Sequence, residues 1–435
     1  MRARVLAFVA CALGACQNAR PQLLVKVTSD LAVPSQVLAD RTLAPAGSFD
    51  RIRVETLGPD GNPTTTRDFV IDGDSTFPLS FGVASPEDPS RELVVRVTGF
   101  KARFARTRGA ELLPLRFARV ERLLSLVPGG VDEVNVALLG ACLGAPIDLS
   151  RRTSCIDSAT LAGAPVPSLT VASPGTFGPL RESPCKGASS EDRVCVPGGL
   201  GLVGAPELSI EEGERVGAEP RLVTISPFLL GKIEITVGAL RRLFLSGLKA
   251  DKPKTRVERA ACNYSDTAAS SDSEAARCVP LRTALAACLA AGGDLPTAAQ
   301  WEYAARGRGE ARAFPWGERE PSCCAAALAG GALGCKPQLA TGSYADPGAC
   351  EGVADVSRDG ALDLAGGVRE WVKDAPRPLA ECLAPGLAND PVCGSEGSLK
   401  GGSYTRPLTS ASPALRFRAD SLDDVGFRCA FPDSR

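Results

Sequence analysis

Sixteen cysteines and no histidine in 435 residues set the limits on what this chain can become. Cysteines in that number point to an oxidising compartment, where bridges staple loop-rich units that a hydrophobic core alone would not hold. No Cys-x-x-Cys pair occurs, so the usual zinc spacing is missing. The lack of histidine excludes Ser-His-Asp and Cys-His catalysis, histidine general-base work and every histidine-ligated metal site. Any chemistry must come from Cys, Asp, Glu, Lys, Tyr or backbone groups.

The N-terminus explains two of the cysteines. Arg2 and Arg4 precede a short apolar run, Val5 to Ala15, well under the ~20 residues of a spanning helix. That pattern reads as an export signal. It ends Leu13-Gly14-Ala15-Cys16, which resembles the bacterial lipobox. The resemblance implies a signal peptide over 1–15, cleavage before Cys16, a lipid on the Cys16 thiol, and a short tether over 16–22. The membrane is then a partner through that lipid, since two or more acyl chains give stable anchoring. Gln17 follows the cysteine where an aspartate would favour the inner membrane, so a cell-envelope location at the outer membrane is expected. Without Cys11 and Cys16, fourteen cysteines remain, enough for up to seven bridges. Neighbours suggest Cys142 with Cys155, Cys185 with Cys195, Cys262 with Cys278, and Cys382 with Cys393. Connectivity itself stays open.

The formal net charge is −1, and removing Arg2 and Arg4 makes it more negative by two. No basic block occurs, so nucleic acid is not an expected partner. The length suits two or three domains, and 44% hydrophobic residues suffice for packed cores.

Period-two alternation dominates the first third. Leu23 to Thr28, Ile52 to Thr56, Leu93 to Val97 and Val134 to Leu138 all read as half-buried strands. Pro59-Asp60-Gly61-Asn62 and Asp72-Gly73-Asp74 carry turn chemistry. Residues 23–142 are therefore expected to form an all-β sandwich, immunoglobulin-like or prealbumin-like, serving as a spacer. Residues 143–192 turn to Pro, Ser, Gly and Cys and read as a cross-linked linker. From 193 the signals change again. Leu222 to Phe228 reads as a strand. Thr236 can cap a helix over Val237 to Leu248, and Pro280 can open one running to Ala291. Thr297 and Gln300 form a capping box for a helix that Gly307 can stop.

Five strings in this half carry a resemblance. They are Leu295-Pro296-Thr297 with Trp301-Glu302-Tyr303-Ala304-Ala305-Arg306-Gly307; Phe314-Pro315-Trp316-Gly317; Asp363-Leu364-Ala365-Gly366-Gly367-Val368-Arg369-Glu370-Trp371-Val372; Gly401-Gly402-Ser403-Tyr404; and Gly426-Phe427-Arg428-Cys429-Ala430. Val196-Pro197-Gly198-Gly199 and Pro227 to Thr236 precede them. Their order and spacing resemble the formylglycine-generating enzyme, or sulfatase-modifying factor, family over 193–433. The resemblance implies an α+β fold related to C-type lectins, loop-rich and disulfide-stapled.

It also implies a chemistry that this chain departs from. Aerobic members oxidise a sulfatase cysteine through two cysteines that bind copper(I), and a soft thiolate pair suits that metal. Both follow the Gly-Gly-Ser-Tyr string within about ten residues. Here Arg406 and Ala411 stand at those positions, and arginine presents only donors. No catalytic residue is assigned, and copper is not expected. A related branch uses histidine-bound iron, which this sequence cannot supply. The family's structural calcium segment is kept in part: Asp363 and Glu370 offer carboxylates, and Gly366 and Val368 offer carbonyls to Ca²⁺. The second calcium loop is not recognisable in 318–343. Ser403, Tyr404, Arg406, Arg416 and Arg418 are candidates for a groove that takes a peptide, a glycan or a protein partner. Trp301, Trp316 and Trp371 read as core packing. The leading expectation is a binding or scaffolding module; the alternative is an oxidoreductase of the same family with a non-standard site.

Overall fold

The structure is a computed structural model that describes residues 22–39, 47–75, 77–84, 91–127, 131–156, 172–204, 215–216, 221–328, 337–377, 379–383, 386–406, 416–417, 419 and 422–433. Cys16, the signal segment, Ala411 and Arg418 lie outside the described residues.

Among the described residues, nine strands occupy the first third: β1 (Gln22–Ser29), β2 (Arg51–Leu57), β3 (Pro63–Val70), β4 (Leu79–Ala84), β5 (Leu93–Phe100), β6 (Ala105–Arg108), β7 (Glu111–Pro114), β8 (Arg119–Leu126) and β9 (Val131–Leu138). A short α-helix, α1 (Pro34–Ala39), lies between β1 and β2. One sheet has the order β4-β1-β9, with β1 antiparallel to β4 and parallel to β9. The other has the order β3-β2-β5-β8, antiparallel throughout. The alternating apolar positions explain this arrangement. Leu23, Val25 and Val27 of β1 face Ile52, Val54, Val95, Val97 and Val120 of the other sheet in one core. Thr-rich β3 is an edge strand and almost wholly exposed.

That core does not stop at the first third. Leu180, Leu200, Leu202, Leu222 and Ala311 are buried in the same cluster. Leu143, Ala145 and Cys155 join it, and a disulfide links Cys142 to Cys155. Within the stretch expected to be a linker, Leu143, Ala145, Cys155 and Leu180 thus contribute to this core. A few leucines placed under the sheets decide this, and the polar composition around them conceals it.

The second half is α+β. Short strands β10 (Arg193–Val196), β11 (Gly199–Val203), β12 (Arg215–Val216), β13 (Arg221–Ile225) and β14 (Phe228–Gly231) lead into α2 (Val237–Leu245), α3 (Leu281–Ala290) and α4 (Ala298–Ala305). The caps form as the sequence indicates. Thr236 accepts from the Ala239 N–H, and Thr297 and Gln300 bond reciprocally. Then come β15 (Arg369–Val372), α5 (Leu379–Cys382), β16 (Ala388–Asn389), β17 (Ser398–Lys400), β18 (Arg416–Phe417), β19 (Val425–Gly426) and β20 (Ala430–Pro432). A five-stranded sheet of order β12-β18-β17-β15-β19 carries the third motif string on β15. Trp301 and Trp371 are core residues, and Trp316 stacks on Phe314 at the margin of a small cluster.

The four neighbour disulfides proposed from spacing are all present. Two more, Cys288–Cys429 and Cys324–Cys350, join more distant positions. Cys288 and Cys429 are 141 residues apart, whereas Cys185 and Cys195 are 10 apart. Loop-closure entropy makes the longer bridge worth about 2 kcal/mol more in the unfolded-state account. Urea melts of the C288A/C429A and C185A/C195A double variants test this. The first is expected to lose more stability; equal losses would contradict the account.

Candidate functional site

The motif strings meet at one buried carboxylate. Glu370, on β15, is fully buried. Its Oε2 accepts from Trp301 Nε1 at 2.8 Å. Arg428 donates to it through Nε, at 2.9 and 2.7 Å, and through Nη2 at 2.6 Å. The same guanidinium reaches the carbonyls of Gly231 and Lys232 through Nη1 and that of Leu362 through Nη2, at 3.1, 3.3 and 2.8 Å. Arg428 thus stitches β14, the 362–363 turn and β15 together, which a planar fork of five donors can do and an ammonium cannot.

More carboxylates surround this hub. Asp355, Asp363 and Glu234 are each 5% exposed or less. Asp355 accepts from the N–H groups of Leu364, Ala365 and Gly366 at 3.0–3.1 Å. Burial, with the Asp363 charge second, still pushes its carboxyl up to about 8. Burial likewise pushes Asp363 up to about 6, against the opposing N–H donation from Gly342. Glu234 is raised well above the usual range, by burial first and by Asp363 second. Glu234 and Asp363 line one small cavity with Gly367 and Val368. Its room for a water-sized body is about 20 Å³, where a single water needs roughly 10–15 Å³.

Comparison with known proteins decides the family. The model of the sulfatase-modifying factor enzyme 1-like domain matches residues 180–432, more than half of the chain. The chain belongs to the sulfatase-modifying factor family. It is 32% identical over 162 residues to a formylglycine-generating enzyme of Mycobacterium tuberculosis, covering 32% of this chain and 51% of that protein. It is 32% identical over 161 residues to the Mus musculus enzyme, covering 34% of this chain and 41% of that one. The chain thus spans about half or less of the curated relatives it matches. Among solved structures, PvdO from Pseudomonas aeruginosa is similar at 22% identity and a TM-score of 0.41, covering 55% of this chain and 93% of that one.

The donor set of this family member does not fit copper(I). Among the described residues every cysteine is disulfide-bonded. Cys262, Cys278 and Asp423 carry atoms within 4.8 Å of one another, but the two sulfurs are bonded to each other and offer no thiolate. The stretch 405–413 holds no cysteine. Arg406 lies with its Nε 3.5 Å from an Asp424 oxygen.

The groove residues are only partly brought together. Ser403 is fully buried, and its hydroxyl donates to Asp424 at 2.5 Å. Tyr404 is half-buried, with the Arg277 guanidinium 4.9 Å from its ring centroid. Arg416 lies on β18 with its backbone opposite Val216.

The calcium candidates divide. Asp363 and Val368 line the cavity, and Asp363 takes a left-handed φ of 56° that aspartate tolerates. Gly366 packs so closely that a Cβ would meet the Ala327 backbone N at 2.6 Å. Glu370 accepts from Arg428 and Trp301 at both of its oxygens. Sequence reasoning missed Glu234, which sits between Ile233 and Ile235 in the Pro227–Thr236 string. A lone acid in an apolar run was the available signal.

Removing one partner of a buried ion pair costs about 3–5 kcal/mol, whereas a partly exposed pair is worth about 0–1. Arg428→Lys is therefore expected to destabilise the chain by several kcal/mol, and Arg406→Ala by no more than about 1. Denaturant melts of both variants check this; similar losses would contradict the hub.

Proposed function

We propose that this protein is a lipid-anchored component of a bacterial cell envelope, and that its sulfatase-modifying factor domain binds or scaffolds and does not generate formylglycine. One observation carries the reading. Every described cysteine is in a disulfide, and the positions of the family's thiol pair hold Arg406 and Ala411. Copper(I) needs soft sulfur donors, and oxygen chemistry has no centre without them.

In this reading residues 23–142 are an immunoglobulin-like or prealbumin-like spacer, and the C-terminal half is a C-type-lectin-related platform. The lipid on Cys16 holds it at the outer membrane. Tyr404 and Arg406, with Arg416 and Arg418, supply ring and guanidinium groups suited to carboxylates and peptide carbonyls. A peptide, glycan or protein is the partner class, and nucleic acid is not. A structural cation of the calcium type belongs to the same reading, because the donors around Asp363 are hard oxygens.

Co-expression of the full chain with a cysteine-containing sulfatase peptide tests the chemistry by mass spectrometry. The expected result is no formylglycine above a control lacking the chain, and no reactive thiol in the native protein. Aldehyde formation, or a pair of reactive thiols, would overturn the proposal. Labelled fatty acid should enter the wild-type chain and not Cys16→Ser; equal labelling would overturn the anchor.

A further inference from the structure

Among the described residues, the two most exposed large hydrophobic side chains lie close together in sequence. Leu245, the last residue of α2, is 78% exposed, and Val257 is 98% exposed. Single exposed apolar residues are ordinary on a protein surface. These two share an unusual setting. Residues 241–259 hold seven arginines and lysines against two acids, Asp251 and Glu258, in a chain whose net charge is −1. The cations are interspersed with Leu243, Phe244, Leu245, Leu248 and Val257, so no unbroken basic run marks them in the sequence.

Only part of this charge is used within the fold. Arg241 pairs with Asp272, Lys252 with Asp266, and Arg259 with Asp423. Glu258 accepts from the Thr255 N–H and hydroxyl at 2.7 and 2.9 Å, closing the turn that carries Val257. Arg242, Lys249, Lys254 and Arg256 are exposed, and among the described residues no salt bridge engages them. Helix α2 buries Val237 and Leu240 and leaves Arg242 and Leu245 in solvent. Those two are three residues apart, and so neighbours on one helix face. Lys252, Lys254 and Arg259 line a cleft of about 420 Å³ whose one acid, Asp423, is already paired.

We propose that residues 241–259 form a docking surface for an anionic lipid bilayer. Arg242, Lys249, Lys254 and Arg256 meet the headgroups, and Leu245 and Val257 enter the boundary between headgroups and acyl chains. Charge and apolarity together select this partner. A site for a soluble polyanion has no use for two bared aliphatic side chains, and an apolar protein contact has none for four unpaired cations. A basic surface with exposed apolar residues is the pattern that lies in a bilayer interface. Each basic residue near an anionic leaflet contributes about a fivefold gain in binding. The surface acts without the lipid on Cys16 and adds a second membrane contact to it.

Co-sedimentation of the full-length chain carrying Cys16→Ser, which removes any lipid, tests this with two kinds of vesicle. One is phosphatidylcholine alone, the other an equal mixture of phosphatidylcholine and phosphatidylglycerol. Binding is expected to the mixed vesicles only, and to weaken in high salt. Lys254→Ala with Arg256→Ala is expected to weaken it by about tenfold or more. Leu245→Ser with Val257→Ser is expected to weaken it by about tenfold as well. Melting temperatures should not change, because all four side chains are exposed. Arg106→Ala with Arg108→Ala makes the same charge change on the exposed hairpin of β6 and β7 and should leave binding intact. No binding to the mixed vesicles, equal binding to the neutral ones, or an equal loss in the hairpin variant would overturn the proposal. Undiminished binding by the serine variant would overturn the bilayer assignment in favour of a site for any polyanion.

Discussion

A guanidinium with no exposed surface holds the C-terminal half of this protein together. Arg428 engages Glu370 through Nε and Nη2, the carbonyls of residues 231 and 232 through Nη1, and that of residue 362 through Nη2 as well. These partners lie 58, 197, 196 and 66 residues away in sequence. A loop-rich domain with short strands has few regular ladders to align such segments. One charge-assisted hub does that work, and it also explains why the motif strings occur as a set. Trp301 from the first string, Glu370 from the third and Arg428 from the last are one hydrogen-bonded unit.

Much of the frame was legible from residue pattern, for identifiable reasons. Strands β1, β2, β5 and β9 announce themselves because one face is apolar and the other wet, a period that helices do not mimic. Thr236, Thr297 and Gln300 mark helix starts because their side chains satisfy backbone N–H groups that have no helical partner. Short-range disulfides followed from proximity along the chain. The Cys288–Cys429 bridge did not, because proximity across 141 residues is a property of the folded chain. The core role of Leu143 and Leu180 was hidden by polar neighbours. Glu234 was hidden because its significance depends on Asp363 and Gly367, which no local pattern connects to it.

The site differs from the family's oxidising members in hardness. Among the described residues every cysteine is held in a disulfide, and the stretch 405–413 has no cysteine. What the domain concentrates in its interior is carboxylate oxygen around Asp363. Trp301, Glu370 and Arg428 hold the fold together through one hydrogen-bonded unit that involves no sulfur. Fold does not fix activity.

Elemental analysis of the full chain, purified without chelator and without added metal, separates the two chemistries in one experiment. The account predicts about one equivalent of calcium or magnesium per chain and no stoichiometric copper. Copper at one equivalent would contradict it, because it would require a thiolate pair, and every described cysteine is in a disulfide.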